Sequence, residues 1–437
     1  MKYLLTTILL AACLLVMGCE SGTQLMPTPN LYTQSGVDPF PDVPPALQNN
    51  RVEVLYLTDR KPEKPEPGNP HYGFERSRSV AFGVSEVEFG KDVSWEQIAA
   101  ASRTSKRAVD LPIQIVKTTE LIRFPETPKI LLSKTPVGIP APAPTTAAIQ
   151  IQEALGEDVR HANEELSARL AKTPDKDVYL FVHGYNNTFE DSVSTIAQLW
   201  HFLGRHGVPI AYSWPAGHGG LLRGYTYDRE SSEFTVYHLK QMIRAIAECP
   251  DVKKLHIICH SRGTGVVVSA LAELYLEISG SGRSTREVLK LGSLVLAAPD
   301  IDLDVLIQRA VTIRLGQIPE HTTVYICAKD QALGISNWLF GGTTRFGRVR
   351  ADMFGPDELA LLRESKTVQI VDCHIADPGP YGHSYFHSNP AVSSDLILLM
   401  RYGLLPGPQR PLQTEPSGFW ILDDKYPGPI TPPSQPP

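Results

Sequence analysis

A serine at a sharp strand-to-helix turn is the first candidate for chemistry in this sequence. Residues 255–274 begin with a short apolar run that predicts a buried parallel strand, pass through the turn at 260–263, and continue as an Ala- and Val-rich helix. Such a turn needs small residues two positions before and after Ser261, and here they are Cys259 and Gly263. The pattern indicates a nucleophilic serine, although a serine that only caps the helix would explain it equally well.

Acidic residues follow two later predicted strands, as a catalytic acid for this serine requires. Asp300 and Asp302 come after the apolar run at 293–297, and Asp330 comes after the run at 323–328. The acid in such a site holds the tautomer of a histidine base and stabilises its charged form. Asp330 is the preferred acid, and the pair Asp300/Asp302 is the alternative.

Three histidines after the predicted strand at 368–372 compete for the role of base. His374 follows the strand too closely, and His387 lies within or beyond the turn that precedes the last helix. His383 stands in a Gly-His-Ser turn directly before that helix. Ligands bind outside the carboxyl ends of parallel strands, so the expected catalytic set is Ser261, Asp330 and His383.

A His-Gly turn after the strand at 178–182 predicts the donors that would stabilise negative charge. Gly184 lets the backbone bend close to a substrate, and the amides of Tyr185 and Arg262 are then expected to point at a developing oxyanion. The alternative is a glycine that merely ends the strand. The register of this turn with the turn at Ser261 favours the oxyanion interpretation.

The elements that position these residues follow a regular order from residue 177 onward. Predicted strands alternate with helices, which indicates βαβ units and a mainly parallel sheet. Further strands are predicted at 51–58 and 79–89, and a long amphipathic helix at 146–171. The remaining predicted segments are strands at 209–214 and 255–259 and helices at 192–203, 231–247 and 391–402. This gives a domain at 51–403, with N-terminal strands and loops at 51–145 and a catalytic core at 146–403.

In residues 51–403 the sequence resembles a family of bacterial α/β-hydrolases of unknown function. The segments that carry the resemblance are HGYNNTFED at 183–191, AYSWPAGHG at 211–219, YDRES at 227–231, CHSRG at 259–263, AAPDID at 297–302, KDQAL at 329–333 and GHSYFH at 382–387. The resemblance implies an α/β-hydrolase fold, with a mainly parallel central sheet and helices on both faces. It also implies a triad of Ser261, Asp330 and His383.

Two residues depart from what is usual in these proteins. Cys259 stands where Gly or Ala is common, and Arg262 stands where Met is familiar. Arg262 either brings positive charge to the site, which would favour acidic or phosphate-bearing substrates, or points outward into a salt bridge. A second loop feature, the apolar segment at 332–346 with Trp338, is either a mobile flap over the substrate or part of the core.

The N-terminus predicts a lipoprotein. Residues 1–18 have a lysine followed by an apolar run too short to span a bilayer, which is typical of a signal peptide. The run ends at Cys19 in a pattern that resembles the bacterial lipobox, so we expect Cys19 to be acylated. By resemblance to lipoproteins of Gram-negative bacteria, the absence of Asp after Cys19, where Glu20 stands, favours the outer membrane over the inner. We expect a tether at 19–50 and, because residues 404–437 are Pro-rich and aperiodic, an irregular C-terminal tail.

Composition excludes several classes of function. The net charge is -6, no basic stripe indicates nucleic acid, and no Cys/His spacing indicates a metal site or cofactor. The six cysteines do not form a disulfide framework.

The sequence as a whole predicts an envelope-anchored serine hydrolase that acts on a small-molecule or lipid ester or a thioester. A peptidase or amidase with the same triad, and a non-catalytic scaffold that keeps the fold, are the alternatives. The sequence specifies neither the natural substrate nor the oligomeric state.

Overall fold

The structure, a computed structural model, describes residues 23–64, 69–127, 146–313, 315–339, 344–431 and 433. Its strands are β1 (Arg51–Lys64), β2 (His71–Phe89), β3 (Ile113–Arg123), β4 (Asp177–Val182), β5 (Val208–Ser213), β6 (Lys254–His260), β7 (Leu291–Ala297), β8 (His321–Ile326), β9 (Val368–His374), β10 (Gln413–Thr414) and β11 (Trp420–Asp423).

Helices connect most of these strands. They are α1 (Asn30–Gln34), α2 (Trp95–Ala101), α3 (Thr146–Leu170), α4 (Phe189–Phe202), α5 (Leu221–Glu248), α6 (Gly263–Ser279), α7 (Thr285–Leu289), α8 (Leu303–Thr312), α9 (Gln331–Leu339), α10 (Pro356–Glu364), α11 (Tyr385–Ser388) and α12 (Pro390–Met400). Short 3₁₀ turns lie at Pro45–Leu47, Leu315–Gln317, Phe346–Arg348, Ala351–Met353 and Pro380–Gly382.

In the described residues, eleven strands form one sheet in the order β10-β11-β9-β8-β7-β6-β4-β5-β1-β2-β3. The central strands are parallel, in the order β1-β5-β4-β6-β7-β8-β9-β11. The antiparallel pairs, of β2 with β1 and β3 and of β10 with β11, lie at the two edges of the sheet. The mainly parallel α/β fold predicted from the sequence is therefore confirmed. The first hairpin is longer than predicted, and β3 is an edge strand whose partly exposed faces left no clear alternation in the sequence.

The central strands are buried on both faces, because helices cover each side. In β4 the side chains alternate between two cores: Tyr179 and Phe181 face one, and Leu180 and Val182 face the other. The first core is covered by α4 and α12, and the second by α3, α5 and α6. Burial on both faces explains why the sequence of these strands reads as short continuous apolar runs.

The N-terminal segment is packed against the fold where the structure describes it, so the prediction of a tether at 19–50 does not hold for residues 23–50. Leu25 and Leu31 are buried in the core. The amide of Leu25 donates to the carbonyl of Leu111 at 2.8 Å, and the amide of Leu31 donates to Ser394 Oγ at 2.9 Å. Buried apolar side chains and backbone hydrogen bonds to residues far along the chain hold this segment despite its polar, Pro-rich composition.

The C-terminal segment also differs from its prediction as an irregular tail. Its strand β11 pairs in parallel with β9 and extends the sheet, and β10 pairs with β11. Phe419 and Leu422 are buried. No helix in the described residues is long and apolar enough to cross a lipid bilayer. Residues 1–22, which include the predicted signal peptide and Cys19, lie outside the described residues.

Candidate active site

Ser261 occupies a strained turn between β6 and α6. Its φ is 53°, in the left-handed region that non-glycine residues rarely adopt. Two backbone bonds hold this conformation: the Ser261 amide donates to the Ala297 carbonyl at 2.9 Å, and the Asp300 amide donates to the Ser261 carbonyl at 3.1 Å. The side chain is thereby presented at the carboxyl end of the sheet, in the geometry of a nucleophile elbow.

Close packing around the turn accounts for its small neighbours. A Cβ on Gly184 would lie 2.6 Å from Ser261 Cβ, and a Cβ on Gly263 would lie 2.3 Å from the His183 carbonyl oxygen. Cys259 fits on the other side of Ser261, where its Sγ donates to the Val295 carbonyl at 3.2 Å. Burial raises the pKa of the Cys259 thiol to about 12, so this thiol is not a competing nucleophile.

His383 and Asp330 meet at the same edge of the sheet. His383 Nδ1 lies 2.7 Å from Asp330 Oδ2, and the Asp330 side chain is fully buried. The other carboxylate oxygen accepts from the Leu333 amide at 3.0 Å, which fixes the orientation of the acid. Because Nδ1 donates to the carboxylate, the neutral ring has Nε2 available to accept a proton.

The alternative acids have other partners. Asp300 Oδ1 lies 3.3 Å from Arg345 Nε and accepts from Ser336 Oγ at 3.1 Å. Asp302 Oδ1 accepts from the Val305 amide at 3.1 Å, so this side chain caps the first turn of α8. The geometry therefore favours Asp330 as the partner of a histidine base.

The two competing histidines are placed differently. His374 Nε2 lies 3.1 Å from Asp372 Oδ2, and half of the His374 side chain is exposed. His387 lies one turn beyond His383, where burial lowers its pKa to about 4. His383 is the histidine that pairs with Asp330.

One contact of a triad is not formed in this structure. Within the described residues, the hydroxyl of Ser261 makes no hydrogen bond to His383 that meets ordinary limits of distance and angle. His260, next to Ser261, contacts His383 instead. The centroids of the two rings lie 4.7 Å apart, and His260 Nε2 donates to the His383 carbonyl at 3.0 Å. Catalytic hydrogen bonds in ligand-free enzymes are often long and shorten when substrate binds.

The amides of Tyr185 and Arg262, predicted as the oxyanion donors, have no acceptor among the described residues. His183 orients the amide of Tyr185. Its Nδ1 donates to the Gly184 carbonyl at 2.8 Å, and in a trans peptide the Tyr185 N–H then points the opposite way. His183 is held neutral because burial and the nearby Arg60 lower its pKa.

Arg60 holds the loops that contain Asn187 and Ala216. Its guanidinium donates to the carbonyls of Asn187 at 2.7 Å and Ala216 at 2.8 Å, and one nitrogen lies 3.3 Å from His183 Nε2. Burial lowers the pKa of Arg60 to about 10, so the group keeps its charge at neutral pH. Neither Arg60 nor the link through His260 was predicted from the sequence. The Asp59-Arg60 pair directly follows the predicted strand at 51–58 and lies within β1, and it is a usable signal because charged residues are seldom buried in a central strand.

Comparison with known sequences agrees with this geometry. A family described as alpha/beta hydrolases of unknown function (DUF900) matches residues 159–401, which is more than half of the chain. The chain belongs to this family. No curated protein matches the sequence. The match contains Ser261, Asp330 and His383, and it begins within α3, so the N-terminal hairpin lies outside it.

The described parts of this α/β-hydrolase offer no group of three His, Cys, Asp or Glu side chains suited to a metal ion. A cavity of about 600 Å³ lies beside Asp330, lined in part by Gln331, Ile335 and Pro378. The segment predicted as a flap, 332–346, begins in α9. Its residues 340–343 and the side chain of Trp338 lie outside what the structure describes, so the flap stays a prediction.

Proposed function

We propose that this α/β-hydrolase is a serine hydrolase that cleaves carboxylic esters or thioesters through an acyl-enzyme on Ser261. The observation that carries the proposal is the combination, at one edge of the sheet, of a serine at φ 53° with a histidine–aspartate pair 2.7 Å apart. The two free amides beside the serine support it. The proposal needs no cofactor.

In the proposed reaction, Ser261 Oγ attacks the carbonyl carbon of the substrate while His383 Nε2 takes the hydroxyl proton. Asp330 holds the ring and stabilises the imidazolium. The amides of Tyr185 and Arg262 bind the negative oxygen of the tetrahedral intermediate. His383 then gives the proton to the departing alcohol or thiol, and water enters to hydrolyse the acyl-enzyme by the same steps.

Hydrolysis of an ester, a thioester and an amide that share the butyryl group tests this proposal and its alternatives. We expect the wild type to hydrolyse p-nitrophenyl butyrate and butyrylthiocholine, and the variant Ser261→Ala to lose about 10³-fold or more of this activity. Butyryl p-nitroanilide, measured in parallel, reports on the amidase alternative. A folded wild type that hydrolyses none of the three would favour the non-catalytic scaffold and would contradict the proposal.

We also propose that the mature protein is anchored in the cell envelope, in the outer membrane of a Gram-negative bacterium, by lipid on Cys19. The support is the short apolar run at 4–17 followed by Gly18 and Cys19. Acyl chains contribute about 0.8 kcal/mol per buried CH₂, so several chains give a stable anchor. We expect the wild type in the membrane fraction with incorporated palmitate. Recovery of Cys19→Ala in the same fraction, at the same level, would contradict a lipid anchor.

A further inference from the structure

The side chain of Arg262 lies beside the proposed nucleophile and extends towards α5. Its Nε donates to Ser232 Oγ at 3.2 Å, and Ser232 itself is buried. The hydroxyl of Ser232 in turn donates to the Arg229 carbonyl at 2.6 Å, so it is held in place to accept from the arginine. This contact orients the guanidinium of Arg262, a half-buried residue that directly follows Ser261 in the chain.

The outer nitrogens of this guanidinium have no protein partner among the described residues. Nη1 and Nη2 of Arg262 donate no hydrogen bond there, and no described carboxylate lies within 4.0 Å of the group. The salt bridge predicted as one alternative for Arg262 is therefore not formed with the described residues. A guanidinium has five donors in a planar fork, and most of them remain available here.

Two buried acids of the site region, Asp300 and Asp228, accept from other groups. Asp300 accepts from Tyr225 Oη at 3.2 Å and pairs with Arg345. Asp228 Oδ2 accepts from the amides of Asn186 at 2.8 Å and Gly217 at 3.3 Å. Both oxygens of Asp300 and Oδ2 of Asp228 therefore have other partners, and neither carboxylate lies within 4.0 Å of a nitrogen of Arg262.

The guanidinium lies near an aromatic ring, since burial raises the pKa of the Tyr225 hydroxyl and the nearby Arg262 opposes that rise. The rings of Tyr185 and Tyr225 lie 5.3 Å apart beside the oxyanion amides. Tyr225 is held by Asp300 at one end and lies on α5, the helix that also holds Ser232. A substrate group that reaches from Ser261 towards α5 would meet the charged fork of Arg262 against these rings.

We propose that Arg262 binds an anionic oxygen group of the substrate, a carboxylate or a phosphate, and that the hydrolase therefore prefers anionic esters to neutral ones. The inference rests on the proposed function, because it concerns the substrate of the same site. The planar fork of arginine matches carboxylate and phosphate oxygens in pairs, and a half-buried cation without a protein counter-ion is stabilised when such a group binds.

The preference is measured as a ratio of kcat/KM for two esters of similar length, monomethyl adipate and methyl hexanoate, followed by proton release. We expect the wild type to favour the anionic ester about ten- to a hundredfold, the effect of a charge-assisted contact. Arg262→Met, which removes the charge and keeps an unbranched side chain, should reduce the ratio to one or below. Arg262→Lys keeps the charge without the fork and should give an intermediate ratio.

A matched control removes a different arginine with a similar contact. Arg309 Nη1 donates to Ser269 Oγ at 2.7 Å, on the face of α6 that packs against α8. We expect Arg309→Met to keep the wild-type ratio, and added salt to lower the ratio in the wild type but not in Arg262→Met. Competitive inhibition by hexanoate compared with butyl phosphate distinguishes the two anionic groups.

The outcomes separate this inference from the proposed function. Hydrolysis of p-nitrophenyl butyrate without any preference for the anionic ester, or a preference that survives in Arg262→Met, would overturn the role of Arg262 and leave the serine hydrolase standing. Failure to hydrolyse any ester would contradict the serine hydrolase itself.

Discussion

Replacing Asp330 with Asn is expected to lower kcat for p-nitrophenyl butyrate by about 10⁴, as in Ser-His-Asp triads on unrelated folds. The side chain is fully buried, and its Oδ2 accepts from His383 Nδ1 at 2.7 Å. An amide nitrogen at this place would present a donor to Nδ1, favour the other tautomer, and leave Nε2 protonated and unable to accept from the serine. KM should change little, because Asp330 does not bind the substrate in the proposed mechanism.

The controls are the two alternative acids. Asp302→Asn removes only a helix cap and should retain activity close to that of the wild type. Asp300→Asn weakens the contacts with Arg345 and Tyr225, so it should lower activity less than Asp330→Asn does. If Asp300→Asn were the more damaging change, with Asp330→Asn within tenfold of the wild type, the assignment of the acid would be wrong.

Replacing Arg410 with Met is expected to reduce the free energy of unfolding by about 3–5 kcal/mol, the usual effect of breaking a buried ion pair. Arg410 and Asp395 are both fully buried, with nitrogen–oxygen distances of 2.9 and 2.7 Å. The same carboxylate accepts from Tyr325 Oη at 2.7 Å and Tyr426 Oη at 2.6 Å. Removing the arginine leaves a buried carboxylate that two neutral hydroxyls cannot neutralise.

Urea unfolding monitored by circular dichroism measures this effect. Arg350→Met is the matched control, because the pair Arg350–Asp352 is more than half exposed and should contribute little. The double variant Arg410→Met/Asp395→Leu should recover part of the loss, since it removes the uncompensated charge as well. Equal unfolding midpoints for the wild type and Arg410→Met would show that the C-terminal segment does not stabilise the fold in this way.

The parallel core was predictable because its signals are local. Each central strand is a short apolar run bounded by turn residues, and the alternation with helices determines the fold class. The segments at 23–50 and 404–431 gave no such signal. Their order depends on contacts far apart in the sequence, such as that of Arg410 with Asp395 and that of Leu31 with Ser394, which composition does not reveal.

The candidate site was predictable to a similar extent. Ser261, Asp330 and His383 each follow a strand, so chain order alone brought them to one edge of the sheet. The conformations that orient the site were not predictable, since Asn186 and Ala298 adopt positive φ values of 57° and 47° only because their loops are held by the fold. The contacts of Arg60 and His260 are likewise long-range and appear only in three dimensions.

Labelling with a fluorophosphonate probe tests most directly whether Ser261 is an activated nucleophile. We expect intact mass spectrometry of the wild type to show one phosphonyl adduct per chain, mapped to Ser261. We expect no adduct on Ser261→Ala and slow labelling of Asp330→Asn. Labelling that persists on folded Ser261→Ala, or a folded wild type that is never labelled, would contradict the account.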